Sequence, residues 1–357
     1  MINNSNSNQI ILRFEDEFRE HRKDLSAVRL TSNKYLWLGS DETSSIERLT
    51  YNSDLHLFTE HKQFRVKDYL DLPAPEDQEI DIEGMAYVEP YLWFVGSHSW
   101  KRKKPKPDKT TEKNVSRLRK LESEANRYLL GRIPLINGEL HKSFTQEGTE
   151  ITAAKLEITP RGNLLMDALV DDPHLGSYID ATIPGKENGF DIEGLAIYEN
   201  RIYLGMRGPV LRGWAVMLEI EVENSSPETL TLKSIGAEGQ LYKKHFINLN
   251  GLGIRDLCLD GEDLLLLAGP TMDLDGPVRI YRLEHGVHLS ENSLSQPPIE
   301  LDIPYGDGDD HAEGITLFDE INSKHSLLVL YDAPAQSRLQ GEGDVVADIF
   351  HLELEND

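Results

Sequence analysis

A chain of 357 residues with 39% apolar, 8% aromatic and 28% charged side chains can bury a large core, as one oversized domain or two ordinary ones. Its 37 basic and 62 acidic residues leave a formal charge of −25, a surface that repels nucleic acid and anionic membranes, so neither is expected as a partner. The single cysteine, Cys258, excludes an intramolecular disulfide framework, and no apolar stretch approaches the ~18–20 residues of a membrane helix.

The opening MINNSNSNQIILRFEDEF lacks the basic start and apolar core of a signal peptide, so a cytoplasmic, bacterial-type protein is expected. Its QIILRFE (9–15) is the first strand-like run. An opening motif then recurs as DLSAVRL from Asp24, DIEGMAY from Asp81, DIEGLAI from Asp191, GIRDLCL from Gly253 and HAEGITL from His311, at separations of 57, 110, 62 and 58 residues. Each is followed by a turn and a second apolar run: YLWLGS (35–40), YLWFVGS (91–97), RIYLGM (201–206), DLLLLAG (263–269) and SLLVLYD (326–332). A third run closes each unit: SIERLTY (45–51), RYLLGRI (127–133), WAVMLEI (214–220), PVRIYRL (277–283) and DIFHLEL (348–354). Such short β-branched and aromatic runs, bounded by Gly, Asn, Asp and Pro, read as antiparallel strands.

A meander repeated at this period predicts an all-β fold, a single β-propeller domain over 1–357. QIILRFE is expected to supply the outer strand of the last blade and close the ring. The 110-residue interval holds two stretches that read as inserts. Residues 97–127 are basic, with a flexible tip expected at 101–110 and a helix from about Glu112 to Arg127; residues 160–179 have helical spacing at Leu164, Leu165, Ala168 and Leu169. Setting both aside predicts five blades; a degenerate sixth within 135–185 is the alternative.

In a propeller the first strand of each blade lines the axis, so motif starts and second-strand ends converge on one mouth. The third motif position holds Ser26, Glu83, Glu193, Arg255 and Glu313, and the first holds Asp24, Asp81, Asp191, Gly253 and His311. The second-strand ends add Ser40 and Asp41, Ser97, His98 and Ser99, Arg207 and Arg212, Thr271 and Asp273, and Asp332, with Arg338 further on. Carboxylates gathered there need a cation or a proton. Calcium on Asp81, Glu83, Asp191, Glu193 and Glu313 is one solution; neutralisation by Arg207, Arg212, Arg255 and Arg338 is the other. Gly after Glu is expected to relieve crowding at the axis. The acidic loop 307–314 lacks the glycine and final glutamate of an EF-hand, and no nucleophile elbow, P-loop or zinc spacing is present.

The motifs KENGFDIEGLAI, GMRGPVLRGWA, DIEG at 81, GIRDL and HAEGI resemble, over most of the chain, a bacterial family catalogued only as a domain of unknown function. More distantly, the repeated Glu-Gly openings look like those of phytase-like and esterase-like propellers. That resemblance implies calcium-assisted ester or phosphoester hydrolysis. Glu83, Glu193 and Glu313 would then hold metal or activate water, and Arg207, Arg212, Arg255, His98, His311 and Asp332 would bind a small anionic ligand. The competing expectation is a non-catalytic scaffold that binds a protein, with the axial charges satisfied internally and residues 97–127 as contact element.

Overall fold

The structure, a computed structural model, describes residues 8–322 and 324–352. Residues 1–7 of the opening segment, and Glu353 and Leu354 of the run DIFHLEL, lie outside the described residues.

The repeated runs become antiparallel meanders. The first comprises Leu25–Leu30, Tyr35–Ser40, Ser45–Asn52 and Leu57–Arg65. The second pairs Ile82–Val88, Tyr91–Gly96, Leu130–Ile136 and Ala154–Leu156. Asp191–Tyr198, Arg201–Gly208, Trp214–Ser226 and Lys243–Asn248 form the third. Gly253–Asp260, Asp263–Gly269, Val278–Leu283 and Ile299–Ile303 form the fourth. The last comprises His311–Leu317, Ser326–Asp332, Asp344–His351 and the N-terminal strand Asn8–Arg13. That N-terminal strand also touches Leu57–Arg65 in parallel, so it clasps the last blade to the first. The protein is a β-propeller.

Alternation along each strand explains why its runs are apolar throughout. Successive side chains point to opposite faces, and both faces of each sheet are covered by a neighbouring sheet. In Tyr35–Ser40, Leu36 and Leu38 enter the cluster shared with the last blade, while Trp37 enters the one shared with the second. In Asp263–Gly269, Leu264 and Leu266 face the third blade, and Leu265 and Leu267 face the last with Cys258.

The motif glycines sit where neighbouring inner strands approach most closely. A Cβ on Gly84 would lie 2.8 Å from Leu195 Cβ and 2.9 Å from its amide nitrogen, and one on Gly194 would lie 2.8 Å from Leu257 Cγ. Where the fourth blade has Asp256 instead, its carboxylate crosses the seam and accepts the Ile315 N–H at 2.8 Å. We expect Gly84→Ala to cost about 1–2 kcal/mol by overpacking this seam, read as a lower urea midpoint at unchanged slope. A variant as stable as wild type would remove the steric account of the motif.

Residues 135–185 fold as hairpins at 143–152 and 158–163 and short helices at Leu164–Leu169 and Gly176–Asp180. The helix expected from Glu112 to Arg127 is shorter, spanning Thr111–Leu118. Beyond it Leu121–Glu122 turns back to pair with Lys101–Arg102, and Arg127 lies in a separate 3-10 turn. The helix has no buried residue, and a short helix without a packed face has little to sustain further turns.

Candidate functional site at the axial mouth

Each inner strand carries a register shift at the third motif position: between Leu25 and Ala27, Ile82 and Gly84, Ile192 and Gly194, Ile254 and Asp256, and Ala312 and Gly314. Ser26, Glu83, Glu193, Arg255 and Glu313 are therefore bulge residues. A bulge withdraws its residue from the ladder and re-aims its side chain, which sets one polar group per blade at the axis.

Two charge arrangements share the mouth. On one side Glu193 bridges two buried guanidinium groups, with Arg207 Nη1 at 2.8 Å and Arg255 Nε at 3.0 Å, and Arg255 also pairs with Glu313. Arg207 Nε is buried without a hydrogen-bond partner among the described residues. Lys186, His311 and the loop 270–278 wall the pocket beside these arginines. Arg127 performs the same neutralisation for the second blade, pairing with Asp81 at 2.6 Å and Glu79 at 3.1 Å.

On the other side three carboxylates gather. One carboxylate oxygen each of Asp24, Asp41 and Asp332 lies within 4.8 Å of the others. None of the three has a basic partner among the described residues. Burial, with Asp332 and Glu42 nearby, raises Asp24 to about 6. Burial, then Asp332 and Asp81, pushes Asp41 well above the usual carboxylate range. Glu83, 8% exposed and unpartnered among the described residues, is raised by burial and by Asp81, Glu193 and Asp41. Asp191 is also unpartnered there; burial and the Glu193 charge raise it to about 7.

Asp191 gives a signed pH dependence. Its folded pKa lies above the unfolded value near 3.8, so it favours folding at acid pH, and that contribution is lost as pH rises from about 4 to 7. Asp191→Asn should match wild type near pH 4 and become progressively more stable than it up to pH 7, in thermal melts without added metal. Comparing variants is necessary because His98, lowered to about 4 by burial, contributes in the opposite sense. A difference that does not vary with pH would exclude a protonatable Asp191.

Several expected residues lie elsewhere. His98 is buried, with Nδ1 donating to Gly96 O at 2.7 Å and Nε2 facing the Asn163 amide at 2.7 Å, so its polar edges are occupied by the fold. Arg212 is exposed on the turn between Leu211 and Trp214, which carries it out of the mouth. Arg338 neutralises Asp310 and Asp348, each at 2.8 Å, rather than the axial glutamates. His311 stands at the pocket edge, 3.5 Å from Asp275. No motif marks Arg127; Asp24, Asp41 and Asp332 are each expected at the mouth from their motif and strand-end positions, but not as one metal-holding group.

Fold and site together define an acidic β-propeller with a bipolar axial mouth. The chain belongs to the family described as "Protein of unknown function (DUF3616)", whose model matches residues 24–348. No curated protein matches it. Among solved structures, a streptogramin B lyase aligns at 11% identity and TM-score 0.38, covering 98% of each chain. A catalytically inactive virginiamycin B lyase from Staphylococcus aureus, with quinupristin, aligns at 10% identity and TM-score 0.39, covering 97% of this chain and 100% of the other.

Proposed function

We propose that the axial mouth is the working site, that Asp24, Asp41 and Asp332 hold a divalent cation there, and that a small anionic ester or phosphoester is its substrate. The observation that carries this reading is the approach of the three carboxylates to within 4.8 Å without a basic partner among the described residues. Such a group is relieved by a cation, and a hard, oxygen-seeking ion of the calcium kind suits three carboxylates plus water. The ligand set shifts from the expected Asp81, Glu83, Asp191, Glu193 and Glu313, because three of these, Asp81, Glu193 and Glu313, already have arginine partners.

A bound cation would polarise a carbonyl or phosphoryl oxygen. The unspent Arg207 edge supports anion binding, and Glu83, raised above the usual carboxylate range by burial and by Asp81, Glu193 and Asp41, suits proton transfer. The closed Glu193–Arg207–Arg255–Glu313 network favours a second reading, a non-catalytic binding propeller. Chromogenic esters and phosphoesters assayed with calcium and with EDTA separate the two. Turnover that requires calcium and fails in Glu83→Gln supports hydrolysis; calcium binding without turnover leaves a ligand-binding propeller, and neither leaves the scaffold.

A further inference from the structure

Residues 97–127 carry eleven Lys or Arg and four Asp or Glu, a local +7 on a chain of −25. Their root is held across the mouth rather than away from it. The Trp100 carbonyl accepts the Gly185 N–H at 3.0 Å. Arg102 pairs through both Nε and Nη2 with Glu187, ahead of the third blade, and Lys104 Nζ comes within 3.8 Å of Asp273 on the fourth. The helix Thr111–Leu118 is tied to the same stretch, with Arg117 Nε donating to the Lys104 carbonyl at 2.7 Å.

What this arm presents outward is neither simply charged nor simply apolar. Val115 (49% exposed), Leu118 (44%) and Leu121 (37%) lie on it, and Met272 (49%) and Leu274 (52%) flank Asp273 on the loop it reaches. Tyr305 walls the mouth pocket beside Met272 and Leu274. Six of the nine large apolar side chains exposed among the described residues therefore gather at one rim. Lys106, Lys113, Arg119 and Lys120 stand among them, exposed and without acidic partners among the described residues. Isolated exposed leucines need no explanation, but a gathered set does.

We propose that this rim is a docking surface for an acidic peptide segment of another protein, anchored by Leu- or Phe-type side chains on Val115, Leu118 and Met272. A small polyanion would use the lysines and leave the apolar groups unexplained. A second copy related by a two-fold axis would set arm against arm, cation against cation. An acidic segment with apolar anchors satisfies both halves, as charged steering around an apolar centre does in other interfaces. The proposal is independent of the axial cation.

The test is fluorescence anisotropy with a short labelled peptide of Asp, Glu, Leu and Phe, against the same peptide with Ser in place of Leu and Phe, and against tripolyphosphate as competitor. The wild-type protein should bind the first peptide about tenfold more tightly than the second, and the affinity should fall as salt is raised. Val115→Ser with Leu118→Ser, and separately Lys113→Glu with Lys120→Glu, should each cost about tenfold. All four positions are exposed, and circular dichroism confirms folding. Equal binding of both peptides, full competition by tripolyphosphate, or unchanged affinity in either variant overturns the proposal. So does concentration-dependent self-association that the arm variants abolish.

Discussion

Glu193→Ala should lower the stability of the folded protein by about 3–5 kcal/mol, the range for removing one partner from a buried ion pair. Glu193 is 2% exposed and faces Arg207 and Arg255, themselves 4% and 7% exposed. Without it Arg207 has no acidic partner among the described residues and Arg255 keeps only Glu313. Two guanidinium groups are then buried beside one another with a single ion-paired carboxylate, Glu313 on Arg255. Glu193→Gln keeps the volume and some hydrogen bonding, so its loss should be smaller. Urea unfolding in metal-free buffer measures both, and a loss below about 1 kcal/mol for Glu193→Ala would mean that the network does not hold the axis together. Replacing Arg207 by Met in the Glu193→Ala background should restore part of the loss, because the unpaired charge leaves with its partner.

Calcium should stabilise wild type by about 2.7 kcal/mol at a free concentration ~100 times its Kd, and Asp41→Asn should lose most of that gain. Without metal the order reverses. Asp41 is raised by burial and by the charges of Asp332 and Asp81, so its folded pKa lies above its unfolded value. A group shifted in that direction destabilises the fold once pH passes its folded pKa, and the neutral amide removes the cost. Melts with EDTA and with calcium should therefore cross: Asp41→Asn melts higher than wild type without metal and lower with it. An unchanged wild-type melt on calcium addition, or an equal gain in the variant, would remove the three aspartates as a cation site. Glu193 variants should leave the calcium response intact, since Glu193 belongs to the arginine half of the mouth.

These two experiments probe parts of the mouth that differ in how far the sequence revealed them. Glu193 was legible because it recurs with Glu83 and Glu313 at one motif position, and a repeated position in a meander occupies equivalent sites around the axis. Which carboxylate takes an arginine and which remains alone was not legible. Arg207 and Arg212 stand close together in the sequence, yet the turn at Leu211–Trp214 sends Arg212 to solvent while Arg207 stays in its strand, 4% exposed. His98 likewise sits at a second-strand end, as the mouth residues do, but Gly96 and Asn163 occupy both ring nitrogens.

By itself the sequence determined the strands and their repetition. Continuous apolar runs such as DLLLLAG can be buried only between two sheets, and a glycine after the bulge is needed where two inner strands nearly touch. Those are local requirements: the apolar runs recur in every unit, and the glycine in three of them, at 84, 194 and 314. Only the tertiary structure decided how the three aspartates meet and where the basic arm lies. Asp24 meets Asp332 because the ring closes the last blade onto the first, and the arm reaches Asp273 because Arg102, paired with Glu187, and Lys104 carry it over the mouth. Both depend on residues distant in the chain and adjacent in space, where charge adds through distance and not through order.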